Sequence, residues 1–543
     1  MGANGCRPER RAVIRAAIAG AAWVAAEAAS SERWLRTPLS PSTDGIDCTG
    51  HDSAGVAERE GTAKDGQSRA RSPGAGFSAA AENRLPGTPR RDVAANWSAT
   101  PTLEGFLGQH ASTARRRNVD VYINSTLSSI RIKAYRIGHY NGEGQRLVWT
   151  SAPVSVRRQR PFTLQRDTRM VSCHWRVTTS INTTGWPEGL YYLVLTGGSG
   201  RDHMIPLVVE SASVVGKTVL VFNDCTMQAY NKWGGYSLYT GPKHGPADRS
   251  YKVSFDRPYR NFEEIERSNA PLIRSAESIA DTELNLAYTT EARISGNPRL
   301  VSGAAAVIFS AHSEYWSPAL RRTVEDARDT GTNIVFFGAN NVYWRTRLEA
   351  SFTGEDRVLV CYRKALLDPD HLSHPDATTT EWRQGSAPEP ESTLTGSAYG
   401  DLGVTGMFTV TDPDFFAFAG TGAARGATYA GLTAGEVDRL YPTAQRPEFA
   451  HAGNLLVFAH SPAAGAHASR GWSDSTFYTS ASGAGVLNMG TTGWLQAQSD
   501  EAVPARSRNF ATGVTQNIIR AAAFGPLGRC STAVPEPARR LSR

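Results

Sequence analysis

Three apolar, largely β-branched runs punctuate the chain beyond residue 216: Lys217 to Phe222 (KTVLVF), Ala304 to Phe309 (AAAVIF) and Thr332 to Phe337 (TNIVFF). Continuous apolar runs of this length read as strands buried on both faces, as in a parallel sheet covered by helices. Each is followed at once by a polar and aromatic segment: DCTMQAYNKWGGYSLY (224 to 239), AHSEYW (311 to 316) and GANNVYW (338 to 344). In open α/β sheets such tails emerge together at the carboxyl ends of neighbouring strands, where ligands bind. Ser317 to Asp329 predicts a helix, with Ser317 as cap, Pro318 in the first turn and an apolar stripe of Ala319, Leu320, Val324 and Ala327. Asn454 to His460 and Gly485 to Met489 predict later strands, and Val514 to Phe524 a closing helix.

Between 118 and 211 the pattern is different. Short alternating runs recur between turn signals at Val119 to Asn124, Ile130 to Ile137, Leu147 to Thr150, Cys173 to Thr178, Tyr191 to Thr196 and Ile205 to Val209, which predicts an antiparallel, immunoglobulin-like β-sandwich. The predicted fold is therefore multidomain, a sandwich at 118–211 followed by an α/β, Rossmann-like domain at 216–526. An irregular stretch at about 365–435, rich in Thr, Gly and Pro, reads as a lid or sub-domain over the sheet edge. Residues 31–117 read as a disordered linker and 527–543 as a disordered tail. Residues 1–30 have a basic start with Arg10-Arg11, a short Ala-rich middle and a small-residue end, the layout of a twin-arginine export signal; a basic cytoplasmic tail is the alternative. The middle is too short for the ~20 residues that span a bilayer.

A length of 543 residues with 40% hydrophobic and 20% charged content fits two or three globular units. The formal charge of +7 is accompanied by no nucleic-acid-binding motif, so no nucleic-acid partner is expected. Six scattered cysteines, without CxxC or zinc spacing, indicate no disulfide framework. Cys225 reads as a reactive thiol or as a small buried hydrophobe.

Candidate chemistry gathers in the tails of the strands. His312 and Glu314 lie two apart, so extended backbone would point both the same way, one to bind a metal and the other to move protons. Tyr230 precedes the Gly234-Gly235 pair; a phenol ligates only when a hard cation deprotonates it against its ordinary pKa near 10.

These segments, in this order, resemble the large subunit of N,N-dimethylformamidase and its C-terminal-domain relatives. The resemblance is carried by RIGHYNGEGQRLV (136 to 148), WPEGLYYLVL (186 to 195), TMQAYNKWGGYSLY (226 to 239), SFDRPY (254 to 259), SAHSEYWS (310 to 317), GANNVYWR (338 to 345), VCYRK (360 to 364) and GEVDR (435 to 439). It implies a sandwich followed by a glutamine-amidotransferase-like domain. It also implies a mononuclear Fe(III) held by two tyrosinates and a glutamate, which hydrolyses a small amide to acid and amine. Under the resemblance Glu314 is the carboxylate ligand, Tyr230 one tyrosinate, and Tyr191 or Tyr192 the other, with Tyr191 favoured. His312 handles protons, Asn340 or Asn341 is a polar pocket residue, and Lys364 or Arg363, with Glu436, supplies pocket charge. Glu436 could instead pair with Arg439 at the surface. Trp233, Trp316 and Trp344 are expected to wall the pocket. A small partner subunit or a homo-oligomer is implied, as is a small amide substrate. Rival readings are a hydrolase of another C–N bond and a non-catalytic exported protein that binds carbohydrate or another ligand.

Overall fold

The computed structural model describes residues 77–89, 102–197, 202–279, 284–441 and 454–529. The expected export signal and most of the expected linker and tail lie outside them. No helix among the described residues is long and apolar enough to cross a membrane.

The chain is mixed α/β and rich in sheet. Its N-terminal part pairs a three-stranded sheet (Leu103–Leu107, Asn118–Ser125, Thr179–Asn182) with a six-stranded one built around Ser129–Ile137, Gly189–Thr196 and His203–Val209. The two share one apolar core that includes Val121, Ile132, Leu193 and Ile205. Leu103–Leu107, within the stretch expected as linker, is a strand that pairs antiparallel with Asn118–Ser125 and buries all five of its residues. Cys173 to Thr178 is not a strand; Cys173, which packs on Phe106 and Trp175, lies in the connection between Met170–Ser172 and Thr179–Asn182.

The C-terminal part is one nine-stranded sheet, whose strands are numbered here in chain order. They are β1 (Thr218–Phe222), β2 (Leu286–Thr290), β3 (Ala306–Phe309), β4 (Asn333–Phe336), β5 (Ala398–Thr409), β6 (Thr428–Arg439), β7 (Leu456–Ala464), β8 (Gly471–Thr479) and β9 (Gly485–Asn488). The spatial order is β2-β1-β3-β4-β9-β8-β7-β5-β6. The first five in that order run parallel and the rest antiparallel. From β1 the chain crosses to β2 on one side and then to β3 on the other, so the order reverses at β1. That leaves a crevice outside the carboxyl ends of β1 and β3.

Helices α1 (Asp224–Tyr230), α2 (Phe262–Glu277), α3 (Glu291–Gly296), α4 (Pro318–Asp329), α5 (Gly493–Ala497) and α6 (Ala505–Phe524) accompany the sheet. α4 starts as its sequence dictates: the Ser317 side chain accepts from the Leu320 N–H at 3.0 Å, and Pro318 occupies the first turn. The stretch expected as a lid is only partly irregular. Its second half supplies β5 and β6, which pair along most of their length and extend the sheet to its far edge. Thr and Gly mislead there because β5 and the edge strand β6 pair with repeated bulges and register shifts, a setting where such residues are tolerated.

Candidate active site

β1 and α1 place Tyr230. Beyond the last turn of α1 the chain reverses through Trp233–Gly235, where Gly234 and Gly235 have φ of 74° and 85°. Only glycine adopts such angles without steric cost. The return leg pairs back through Leu238 N–H to the Ala229 carbonyl at 3.0 Å, so Tyr239 stacks on Tyr230 with ring centroids 4.3 Å apart. Gly234 and Gly235 are the midpoint between the two tyrosines in sequence, and that symmetry is what brings the rings together.

β3 places the His312–Trp316 loop against this pair. Glu314 is 1% exposed. Its carboxylate accepts from Tyr230 Oη at 2.9 Å, from Tyr239 Oη at 2.7 and 3.0 Å, and from Trp344 Nε1 at 3.0 Å. The two phenol oxygens are 2.7 Å apart. Two phenol protons must thus serve four oxygen–oxygen contacts, so more lone pairs than protons converge on one point. Burial, then the neighbouring Glu314 charge, pushes both phenols well above their ordinary range. Burial, then Glu436, also raises Glu314. With protein groups alone, both phenols are neutral.

The loop is held from behind. Glu314 N–H donates to Thr226 Oγ1 at 3.0 Å, and Asn223 Nδ2 donates to the His312 carbonyl at 2.9 Å. Ser313 Oγ accepts from Trp316 Nε1 at 2.7 Å and donates to Glu291. Gly338 permits the close approach of β4 to this loop, since a Cβ there would lie 2.3 Å from the Ala311 carbonyl oxygen. Asp224, Cys225 and Glu291 present ligand-type atoms within 4.8 Å of one another. Asp224 is already bound to His110 Nδ1 at 2.9 Å, while burial raises both Glu291 and the Cys225 thiol. Cys225 is a buried small side chain, and this cluster serves as the support of the loop.

Around the oxygens stand groups with unused hydrogen-bonding capacity. Neither ring nitrogen of His312 has a hydrogen-bond partner, although the residue is only 8% exposed; Nε2 lies 3.7 Å from Glu314 Oε2. Asn340 sits at φ 55°, a conformation Asn tolerates. Its N–H donates to Asp438 at 2.7 Å and its Nδ2 to Glu436 at 3.0 Å, leaving its buried Oδ1 unbonded. Burial pushes Glu436 up to about 7, although Asn340 partly offsets this. Arg363 lies over the rings of Tyr239 at 4.0 Å and Trp344 at 4.7 Å and donates to Tyr315 Oη at 2.7 Å.

Of the residues singled out in the sequence, Tyr230, His312, Glu314, Asn340 and Glu436 therefore gather in one place. Other residues singled out in the sequence lie elsewhere. Tyr191 is buried in the core between the N-terminal sheets and donates to the Pro187 carbonyl at 2.7 Å; it is Tyr239 that stands with Tyr230. Lys364 is exposed, and its neighbour Arg363 takes the place beside the tyrosines. Asn341 accepts from the Ser313 N–H at 3.0 Å and is structural, whereas Asn340 faces Glu436. Among the tryptophans only Trp344 touches the site. Trp316 is fully buried beneath the loop, and Trp233 turns away to bond Glu104 at 2.8 Å. Glu436 makes no surface pair with Arg439; that guanidinium stacks on Trp472.

No curated protein matches the chain. The family described as N,N-dimethylformamidase beta subunit-like, C-terminal, matches residues 131–503, a span that takes in every residue gathered here. A match over more than two thirds of its length places this chain in the N,N-dimethylformamidase beta subunit-like family.

Proposed function

We propose that the protein is a metal-dependent hydrolase of small amides, with a mononuclear Fe(III) held by Tyr230, Tyr239 and Glu314. The observation that carries this reading is the convergence of three side chains with hard oxygen donors, two phenols and a carboxylate, with surplus lone pairs on one point. Such a set suits a hard trivalent cation, and a cation's charge lets buried phenols lose their protons. When bound, the ion supplies Lewis-acid polarisation of a carbonyl oxygen or of water.

The protein's own groups do the rest. Glu436, raised to about 7, is poised to take a proton near neutrality, and His312 has both nitrogens free to relay it towards a departing amine. The unbonded Asn340 Oδ1 can accept from an amide N–H or from water. Trp344 and Arg363 brace Tyr239 and Glu314. In this reading the two halves of the chain are an immunoglobulin-like sandwich and a glutamine-amidotransferase-like domain, and family likeness supports both.

The test is iron content and visible absorption of purified protein, followed by turnover of a panel of small amides. Tyr239→Phe should lose the phenolate-to-metal band and activity, while Tyr191→Phe should keep both. The opposite result would return the second ligand to the sandwich, and wild-type protein that cannot be loaded with iron would sink the reading.

A further inference from the structure

On the sandwich, away from the tyrosine–glutamate cluster, Arg157, Arg158, Gln159, Arg160, His174 and Arg176 line an open groove of about 500 Å³. Its size falls within the ~300–1,000 Å³ typical of small-ligand sites, but its lining is the reverse of the usual apolar one. The four arginines are exposed, and none forms an ion pair with a carboxylate among the described residues. Other arginines in the molecule are paired, as Arg347 is with Asp368 and Arg357 with Asp256. Four like charges in one concavity repel one another, and the interspersed carboxylates that relieve this on ordinary surfaces are missing here.

The groove is held in shape. Gln159 clamps its two sides, donating through Nε2 to the Arg176 carbonyl at 2.9 Å and accepting from the Arg176 N–H at 3.1 Å. Trp175 Nε1 donates to the Arg160 carbonyl at 2.9 Å. Gln159 N–H donates to Asn124 Oδ1 at 2.8 Å, which fixes the segment to the strand behind it. The backbone carrying the guanidiniums is therefore ordered before any ligand arrives, which lowers the entropic cost of binding. The His174 ring lies 5.0 Å from that of Phe352, a side chain 48% exposed.

We propose that this groove binds a compact, multiply charged phosphate anion, of the diphosphate or nucleoside diphosphate class. Guanidinium forks match phosphate oxygens bidentately, and several of them on one concavity match an anion bearing several charges. Convergence on a single concavity, rather than along a track, favours a compact anion over a polymer. The exposed Phe352 face beside His174 offers a stacking surface to a base.

Calorimetric titration of the full chain with inorganic pyrophosphate and, separately, with ADP, in chloride of about 150 mM to screen non-specific attraction, tests this. Saturable binding of one anion per chain is expected. It should weaken by about tenfold or more in Arg158→Ala/Arg160→Ala/Arg176→Ala and stay unchanged in Arg322→Ala, an exposed arginine on α4. Tighter binding of ADP than of pyrophosphate would make the nucleotide the ligand, and equal binding the phosphate chain alone. Lack of saturable binding by both, undiminished binding in the triple variant, or binding seen only with a long polyanion such as heparin would each overturn the proposal. Because the substituted side chains are exposed, unaltered thermal melting of the variants establishes that they fold.

Discussion

Two places in this molecule bury a glutamate between tyrosines, and they are built to opposite ends. Glu277, on α2, accepts from Arg136 at 2.7 and 2.9 Å, from Asn83 at 2.7 Å and from Tyr288, while Tyr140 Oη accepts from Arg136 at 3.0 Å. Arg136 and Glu277 are both fully buried. Glu314 has its two phenols and one indole N–H but no bonded guanidinium, and the His312 ring nitrogen Nε2 stands off at 3.7 Å. Of the two, the first is a finished ion pair that joins the N-terminal sheets, α2 and the 77–89 segment. The second concentrates acceptor lone pairs on a carboxylate that no bonded cation holds. A buried carboxylate without a bonded cation is costly to keep, and such sites are where function is found.

The sharpest way to break this contrast is to unpair the first site. Arg136→Met or Glu277→Gln leaves one charge buried alone and should cost about 3–5 kcal/mol in chemical denaturation, while the double substitution Arg136→Met/Glu277→Leu should recover much of that loss. If the single changes prove harmless, the pair is not the joint between the two halves of the chain.

A smaller effect should appear with pH. Glu436 and Asp438, both raised to about 7 chiefly by burial, bind protons in the folded chain that the unfolded chain releases from about pH 4 upward. Their contribution to stability is therefore full at low pH and lost as pH rises through about 7. Denaturation midpoints between pH 4.5 and 8 should show the slope, and Glu436→Gln should flatten part of it. Activity should run the other way, rising over the same range as Glu436 ionises.

The smallest effect is expected at the second glutamate. Glu314→Gln removes a charge with no bonded cation, so the metal-free variant should stay within about 1 kcal/mol of wild type while losing metal binding. A destabilisation as large as that of Glu277→Gln would mean that Glu314 serves the fold rather than the site.

The sequence alone determined the strands that end at Phe222, Phe309 and Phe336, because a continuous apolar run has few homes other than a covered sheet. It also determined that the segments after them meet at one edge of the sheet, and the cap and first turn of α4. What it did not determine was which side chains those segments bring together. Tyr191 and Tyr239 are equally tyrosines on paper. One is sealed in the core between the N-terminal sheets by alternation along its strand, and the other is folded onto Tyr230 by two glycines in left-handed conformation. Lys364 and Arg363 are adjacent cations, yet the backbone turn at Arg363, with φ 66°, sends only the guanidinium over the rings. Glu436 comes from an edge strand distant in sequence, in a stretch whose Thr and Gly content hid the sheet it extends. Local pattern decides which elements form, because it acts between near neighbours. Contact between residues about 100 positions apart, such as Asn340 and Glu436, depends on sheet order and turn geometry that only the packed chain supplies.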